Sequence, residues 1–318
     1  MKAFSCLLVL VSTYSIAIGQ QSLDTGKYNY LSNSVTKGDT SGKWLHPKRP
    51  YPLPGAILPF NRVIAYYGNL SSTRMGALGR WPKDSMIQNL LQETRRWEAA
   101  DSLVKPIPAF EYLAVTAQSL PGADGKYRLR MPHKQIDTVL AWAKEIGALV
   151  ILNIQPGLSD WQQEVPLLDE YLARPNVHLS IDPEFAMKHK GGKIPGAAIG
   201  TIDAAEINWV SQHLATIVNR YNLPPKMLVV DRFTKGMVTN YKSIALRKEV
   251  QIVMCMDGWG PTSLKEETYE LWISDNPVQF AGFKLFYRND TEKSHQTEMM
   301  SPREVLQLVP QPVLIEYQ

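Results

Sequence analysis

A chain of 318 residues with 44% hydrophobic and 20% charged side chains can fill a globular core, which excludes disorder and collagen-like structure. Its two cysteines exclude a disulfide-stapled scaffold. The formal charge of +4, from 34 Lys+Arg and 30 Asp+Glu, is too weak an excess to argue for a nucleic-acid partner.

At the start of the chain, Lys2 precedes an apolar run from Ala3 to Ile18, and the small-x-small set Ala17-Ile18-Gly19 precedes Gln20. This pattern predicts a signal peptide over 1–19 and a secreted or periplasmic product. The run is short for a membrane span, and no later stretch is long enough to cross a bilayer, so no span is expected after signal removal. Cys6 does not read as a lipidation cysteine, because the apolar run follows it. The remaining Cys255 lies in the apolar run Gln251-Ile252-Val253-Met254-Cys255-Met256, as a small buried hydrophobe rather than a nucleophile.

Residues 20–59 are polar and turn-rich, with Pro47, Pro50, Pro52 and Pro54 and no sustained period, and they read as a tail or spacer. From residue 60 the pattern changes. Eight apolar runs follow, Val63–Tyr67, Ala109–Val115, Ala148–Ile154, Val177–Ile181, Met227–Val230, Val250–Met256, Phe280–Phe286 and Val313–Tyr317. Helix-like segments lie between them near 84–100, 133–146, 160–173, 204–221, 236–247, 263–274 and 302–308. Asp203-Ala204-Ala205-Glu206 and Ser301-Pro302-Arg303-Glu304 are capping boxes, and Ile207, Val210, Leu214, Ile217, Val218 and Tyr221 mark one helix face. Eight strands alternating with helices, without a Gly-x-Gly-x-x-Gly turn after the first, predict one (β/α)₈ TIM-barrel domain, class α/β, over 60–318. The last run ends at the end of the sequence, so the eighth helix is absent or the N-terminal spacer covers its place.

The fourth run is the most informative for chemistry. Alternation puts Val177, Leu179 and Ile181 on one face and His178, Ser180 and Asp182 on the other, and in a barrel the polar set points inward and climbs toward Pro183 and Glu184. A carboxylate pair at the C-terminal end of a barrel strand suits general acid/base work, with Asp182 as the main charged cause of a raised pKa at Glu184. Other strand ends contribute Tyr67 and Asn69, Glu111, Asn153 and Gln155, Asp257 with Trp259, and Lys284 with Arg288. Carboxylates, amides and rings in one cleft are the mixture that binds sugars, through directional hydrogen bonds and stacking. The six histidines form no His-x-x-x-His pair, so neither a metal nor a cofactor is expected. No Gly-x-Ser-x-Gly elbow or Walker loop is present. Gly191-Gly192, with Lys188, Lys190 and Lys193, reads as a solvated lid.

Ser180-Ile181-Asp182-Pro183-Glu184 resembles the Asp-x-Glu strand-four signature of chitinase-type (family 18) and lysozyme-type (family 25) glycoside hydrolases, both of barrel fold. The resemblance implies Glu184 as the acid that protonates the leaving oxygen and Asp182 as the group positioning a substrate N-acetyl. His178 and Ser180 stand where chitinases carry further acids, and Asp257 ends the strand where they carry a tyrosine. Residues 62–318 also resemble uncharacterised secreted or lipid-anchored bacterial barrel proteins. That likeness runs through Ala65-Tyr66-Tyr67-Gly68, Asn153-Ile154-Gln155-Pro156-Gly157, Asp257-Gly258-Trp259-Gly260 and Gly282-Phe283-Lys284-Leu285-Phe286-Tyr287. The sequence reading is therefore a monomeric, exported glycoside hydrolase-like barrel with a carbohydrate substrate, in which Asp182 tunes Glu184 and Asp257 serves as base or nucleophile. Its rivals are a non-catalytic glycan- or envelope-binding barrel and a phosphodiester-cleaving barrel.

Overall fold

A computed structural model describes residues 22–44 and 50–318; the expected signal peptide lies outside the described residues. Eight parallel strands close into a barrel: β1 Asn61–Gly68, β2 Lys105–Ala117, β3 Leu149–Ile154, β4 Val177–Ile181, β5 Lys226–Asp231, β6 Val250–Met256, β7 Phe280–Leu285 and β8 Leu314–Tyr317. Each pairs with its neighbours in chain order, and β8 closes on β1 through Ala65 opposite Glu316. Every expected apolar run is a strand. Arg128–Arg130 adds a short antiparallel strand to the end of β2.

Period-two alternation sorts the strand residues into two cores. Ile64, Tyr66, Phe110, Leu152, Leu179, Leu228, Ile252 and Phe283 face outward and pack with the helices. The helices supply their own apolar stripes: Met86, Leu90 and Trp97 of α2 (Lys83–Ala100), Ile136, Val139 and Leu140 of α3 (His133–Ile146), and Ile207, Val210 and Leu214 of α4 (Ala204–Tyr221). Capping explains the boundaries. Asp203 and Glu206 form the expected box at the start of α4, Ser301 and Glu304 form the second at Pro302–Val305, and Gly147 ends α3 in the left-handed region.

Two helix expectations change. The segment 160–173 is broken by Pro166 into short turns at Trp161–Glu164, Val165–Leu168 and Asp169–Leu172, since proline supplies no amide for a continuous ladder. The segment 236–247 is not an α-helix. Asn240 adopts a φ of 54° and donates to Asp203 Oδ2, while Val238–Thr239 pairs with Ile202–Asp203 as a two-residue parallel bridge.

The segment read as a spacer contains α1 (Thr25–Val35), capped by Asp24, whose carboxylate accepts from the Lys27 amide. Tyr28, Leu31 and Val35 pack not in the outer ring but with Val63, Ala109, Ile151, Met227, Val253 and Leu314, the inward residues at the strand starts. The helix thus plugs the barrel floor. Gln251 clamps the following loop by accepting from the amides of Ile57 and Leu58 and donating to the Leu58 carbonyl. The outer side of β8 is covered by α2 and by Tyr287, whose ring stacks on Tyr317 at 5.6 Å, while Trp97 donates to the Tyr317 hydroxyl. No helix among the described residues is long and apolar enough to cross a membrane.

Candidate active site

Asp182, Glu184 and Asp257 meet at the strand-end mouth of the barrel, opposite the plugged floor. They line one cleft of about 680 Å³ with Tyr67, Gln155, Trp259, Lys284 and Phe286. Asp182 directly follows β4, and the 3₁₀ turn Pro183–Phe185 brings Glu184 back over the opening. Asp257 directly follows β6. One oxygen from each of the three carboxylates lies within 4.8 Å of the others.

Each side chain is held by its strand or loop. Asp182 Oδ1 accepts from the Glu184 amide at 3.1 Å, and Oδ2 accepts from Gln155 Nε2 at 3.0 Å. Gln155 also donates to the Tyr67 hydroxyl and accepts from the Ala117 amide, so β1, β2, β3 and β4 converge on one amide group. Gly157 lets the chain turn after β3: its φ is +61°, and a Cβ there would clash with the Lys126 and Tyr127 carbonyls. Lys284 Nζ lies 3.1 Å from Asp257 and 3.4 Å from Glu316, and 3.5 Å above the centre of the Tyr67 ring. The Trp259 loop is tied down from behind. Buried Lys265 pairs with Asp290 at 2.8 Å and donates to the Gly258 and Lys284 carbonyls, while Asp290 accepts from the Gly260 amide.

Burial and like charge dominate the electrostatics. Burial lifts Glu184 to about 7, helped by the charge of Asp257 and opposed by Lys284. The expected charged cause was Asp182, and this is corrected to Asp257. Asp182 is itself driven well above the carboxylate range by burial, by Asp257 and by Glu184, against Lys284. Burial also raises Asp257, and Lys284 pulls it back. Lys284 is held well above its ordinary value by Asp257, Tyr67, Glu316 and Asp231 against its own desolvation, so it stays cationic.

Of the residues expected to bind substrate, Tyr67, Gln155, Trp259 and Lys284 line the cleft. Glu111 and Asn153 lie beneath it, fully buried, where Asn153 donates to Glu111 and to Ser180. Asn69 is buried in the loop after β1, bonded to the Leu113 carbonyl and the Ser71 amide. Arg288 lies beyond the end of β7, on the rim of an adjoining cavity. His178 is sealed inside the barrel, held neutral by burial, with Nδ1 accepting from the Met227 amide. Cys255 is fully buried, and burial raises its thiol.

Sequence reasoning did not nominate Asp231 and Glu316, which complete a buried layer of acids under Asp257. Neither Asp231 oxygen has a hydrogen-bonded donor, Glu316 faces Lys284 at 3.4 Å, and burial keeps both carboxyl groups well above the usual range. The signal was available: Asp231 ends the run that contains Val229, and Glu316 lies two residues after Leu314, both at inward positions. The cleft also gains Thr116, Phe185 and Phe233. Two sets of three side chains could hold a divalent cation by geometry, Asp182 with Glu184 and Asp257 at the mouth and Asp231 with Cys255 and Glu316 beneath it. Compared with known protein families and with curated proteins, the chain matches none.

Proposed function

We propose that this is an exported glycoside hydrolase-like protein that cleaves an envelope or environmental polysaccharide by carboxylate acid/base chemistry. The observation that carries the reading is the close carboxylate set at the cleft floor, Glu184 near neutral pKa beside Asp257, with Lys284 fixed against Asp257. Glu184 is the general acid. Its proton passes to the glycosidic oxygen as the bond to the anomeric carbon breaks. Asp257, charge-balanced by Lys284, bonds to that carbon, and Glu184, now ionised, deprotonates the water that hydrolyses the glycosyl ester. Nearest oxygens within 4.8 Å correspond to the retaining arrangement, whose carboxyl groups stand about 5 Å apart, and leave no room for the interposed water of an inverting pair at roughly 6.5–9.5 Å. Asp182, fixed by Gln155, supports the turn that carries Glu184 by accepting from its amide.

The test is a screen of peptidoglycan, chitin and plant or algal glycans for reducing-end release, followed by Glu184→Gln on any hit. The variant keeps shape and hydrogen bonding but has no proton to give. Turnover is expected to fall by about 10²–10⁴-fold with affinity within a few-fold. Full activity in the variant rejects Glu184 as the acid.

The non-catalytic rival draws on Trp259, which is 49% exposed at the cleft edge, where a sugar ring can stack. Binding without release from any glycan, abolished by Trp259→Ala, would favour it. The phosphodiester alternative gains no support, because His178, the histidine within the barrel, cannot reach the mouth.

A further inference from the structure

We propose that the cleft continues into an anion-binding subsite, so that the substrate is an acidic glycan whose sugars carry carboxylate or sulfate groups. This rests on the hydrolase reading for turnover, but the binding it asserts can be measured without it.

Beside the catalytic cleft lies a second cavity of about 500 Å³, and Arg74, Phe286, Asn289 and Gln318 line both. The two cavities therefore adjoin across these four side chains. The second cavity is also lined by Arg80, Arg288 and Lys293, against a single acidic side chain, Glu292. Glu292 is already taken: Arg288 Nε and Nη2 each donate to its Oε2 at 3.2 Å. Among the described residues, Arg74, Arg80 and Lys293 form no ion pair, and all three are exposed.

Scattered surface cations need no partner. These differ in converging on one concavity and in being partly held. The Arg80 guanidinium lies 5.2 Å from the Trp81 ring and 6.0 Å from the Tyr287 ring, so its planar fork is oriented before a ligand arrives. Lys293 Nζ lies 5.4 Å over Trp259, which joins the stacking edge of the catalytic cleft to the cationic wall of its neighbour. A guanidinium fork matches a carboxylate or sulfate in two parallel hydrogen bonds, whereas the hydroxyls of a neutral sugar exploit no net charge. The catalytic floor sets Lys284 against Asp257 and Glu316, so part of its negative charge is already balanced. A glycan with one ring over Trp259 and Glu184 would extend its next charged substituent toward Arg74 and Arg80.

The experiment uses the full protein and its Glu184→Gln variant, titrated calorimetrically with polygalacturonate (carboxylate), dextran sulfate (sulfate) and uncharged dextran. Binding of at least one anionic polymer is expected, weakening as salt is raised, with dextran at least ten-fold weaker. The two anionic arms show which group the forks take. Arg74→Ala and Lys293→Ala, both at exposed positions and outside the catalytic set, should each weaken the anionic polymer by about ten-fold, the scale of one charge-assisted hydrogen bond. Dextran binding equal to the charged polymers, or unchanged affinity in both variants, overturns the subsite. So does single-stranded DNA binding as tightly as the glycans, which would mark a generic polyanion surface. Binding through Arg74 without cleavage keeps the subsite and removes the hydrolase reading; cleavage indifferent to Arg74 and Lys293 does the reverse.

Discussion

The two ends of the barrel interior are built from the same eight strands with the same alternation, yet they are chemically opposite. At the strand starts, Val63, Ala109, Ile151, Met227, Val253 and Leu314 meet Tyr28, Leu31 and Val35 of α1 in a sealed apolar plug. Two to four residues further along, the inward positions become Tyr67, Glu111, Asn153, Asp231, Asp257, Lys284 and Glu316. The first end removes apolar surface from water, at roughly 25 cal/mol per Å² of stabilisation. The second gathers acids around one ammonium and leaves both Asp231 oxygens without a hydrogen-bond donor, an arrangement that costs stability. Depth along a strand thus separates folding from chemistry, and the plugged floor offsets the strain of the mouth.

Lys284→Met gives the largest expected effect on this contrast. It removes the positive partner of Asp257 and Glu316 and leaves buried acids uncompensated, so stability near pH 7 should drop by about 3–5 kcal/mol, the usual cost of breaking a buried pair. Urea unfolding at pH 7 and pH 5 measures it. The loss should shrink at pH 5, where the acids are protonated, and an equal loss at both pH values would show that Lys284 acts by packing alone.

At the floor, Leu31→Ala should cost about 2–4 kcal/mol through lost burial and the cavity it leaves, equally at both pH values and with the mouth untouched. A loss that varies with pH would break the separation between the two ends.

The smallest effect is the pH dependence of the native protein. Glu184 titrates near 7 when folded and near 4.5 when unfolded, so the folded form holds the proton more tightly. Its contribution to stability is complete below about 4.5 and is lost as pH rises through about 7. Asp182, Asp231 and Glu316 act in the same direction. His178 and Lys226, both pulled below their ordinary values by burial, act in the opposite direction, so the test is a difference between two proteins: on acidification from pH 8 toward 5, the urea midpoint of Glu184→Gln should gain less, or lose more, than that of the native protein. Equal changes in the two proteins would contradict a raised Glu184.

The strands were legible because each is a β-branched run ended by a turn, and β4 showed its inward face through His178, Ser180 and Asp182. Plain alternation also marked Asp231 and Glu316 as inward. Their role was not legible, because which inward residues become neighbours depends on how eight strands are staggered around the closed barrel, and no single strand carries that register. For the same reason Asn153 and Glu111 read as rim residues although they lie one layer below it. The plug escaped notice because its buried stripe is only Tyr28, Leu31 and Val35 in a polar segment, too short to stand out as a period. At 236–247 a helix was expected from composition, but Asn240 in the left-handed region and β-branched Val238 and Thr239 favour a bridge.

The position of α1 moves the N-terminal border of the folding unit. The alternating pattern begins near Phe60, and a recombinant polypeptide started there would look complete by sequence. It would lack the helix that stoppers the strand starts and the Val35 carbonyl that accepts from the Gln311 amide on the approach to β8. Phe280, Val313 and Leu314 would then open onto solvent through the base of the molecule, a sticky ring suited to self-association. Expression should begin ahead of Asp24, and a purification tag belongs upstream of that residue.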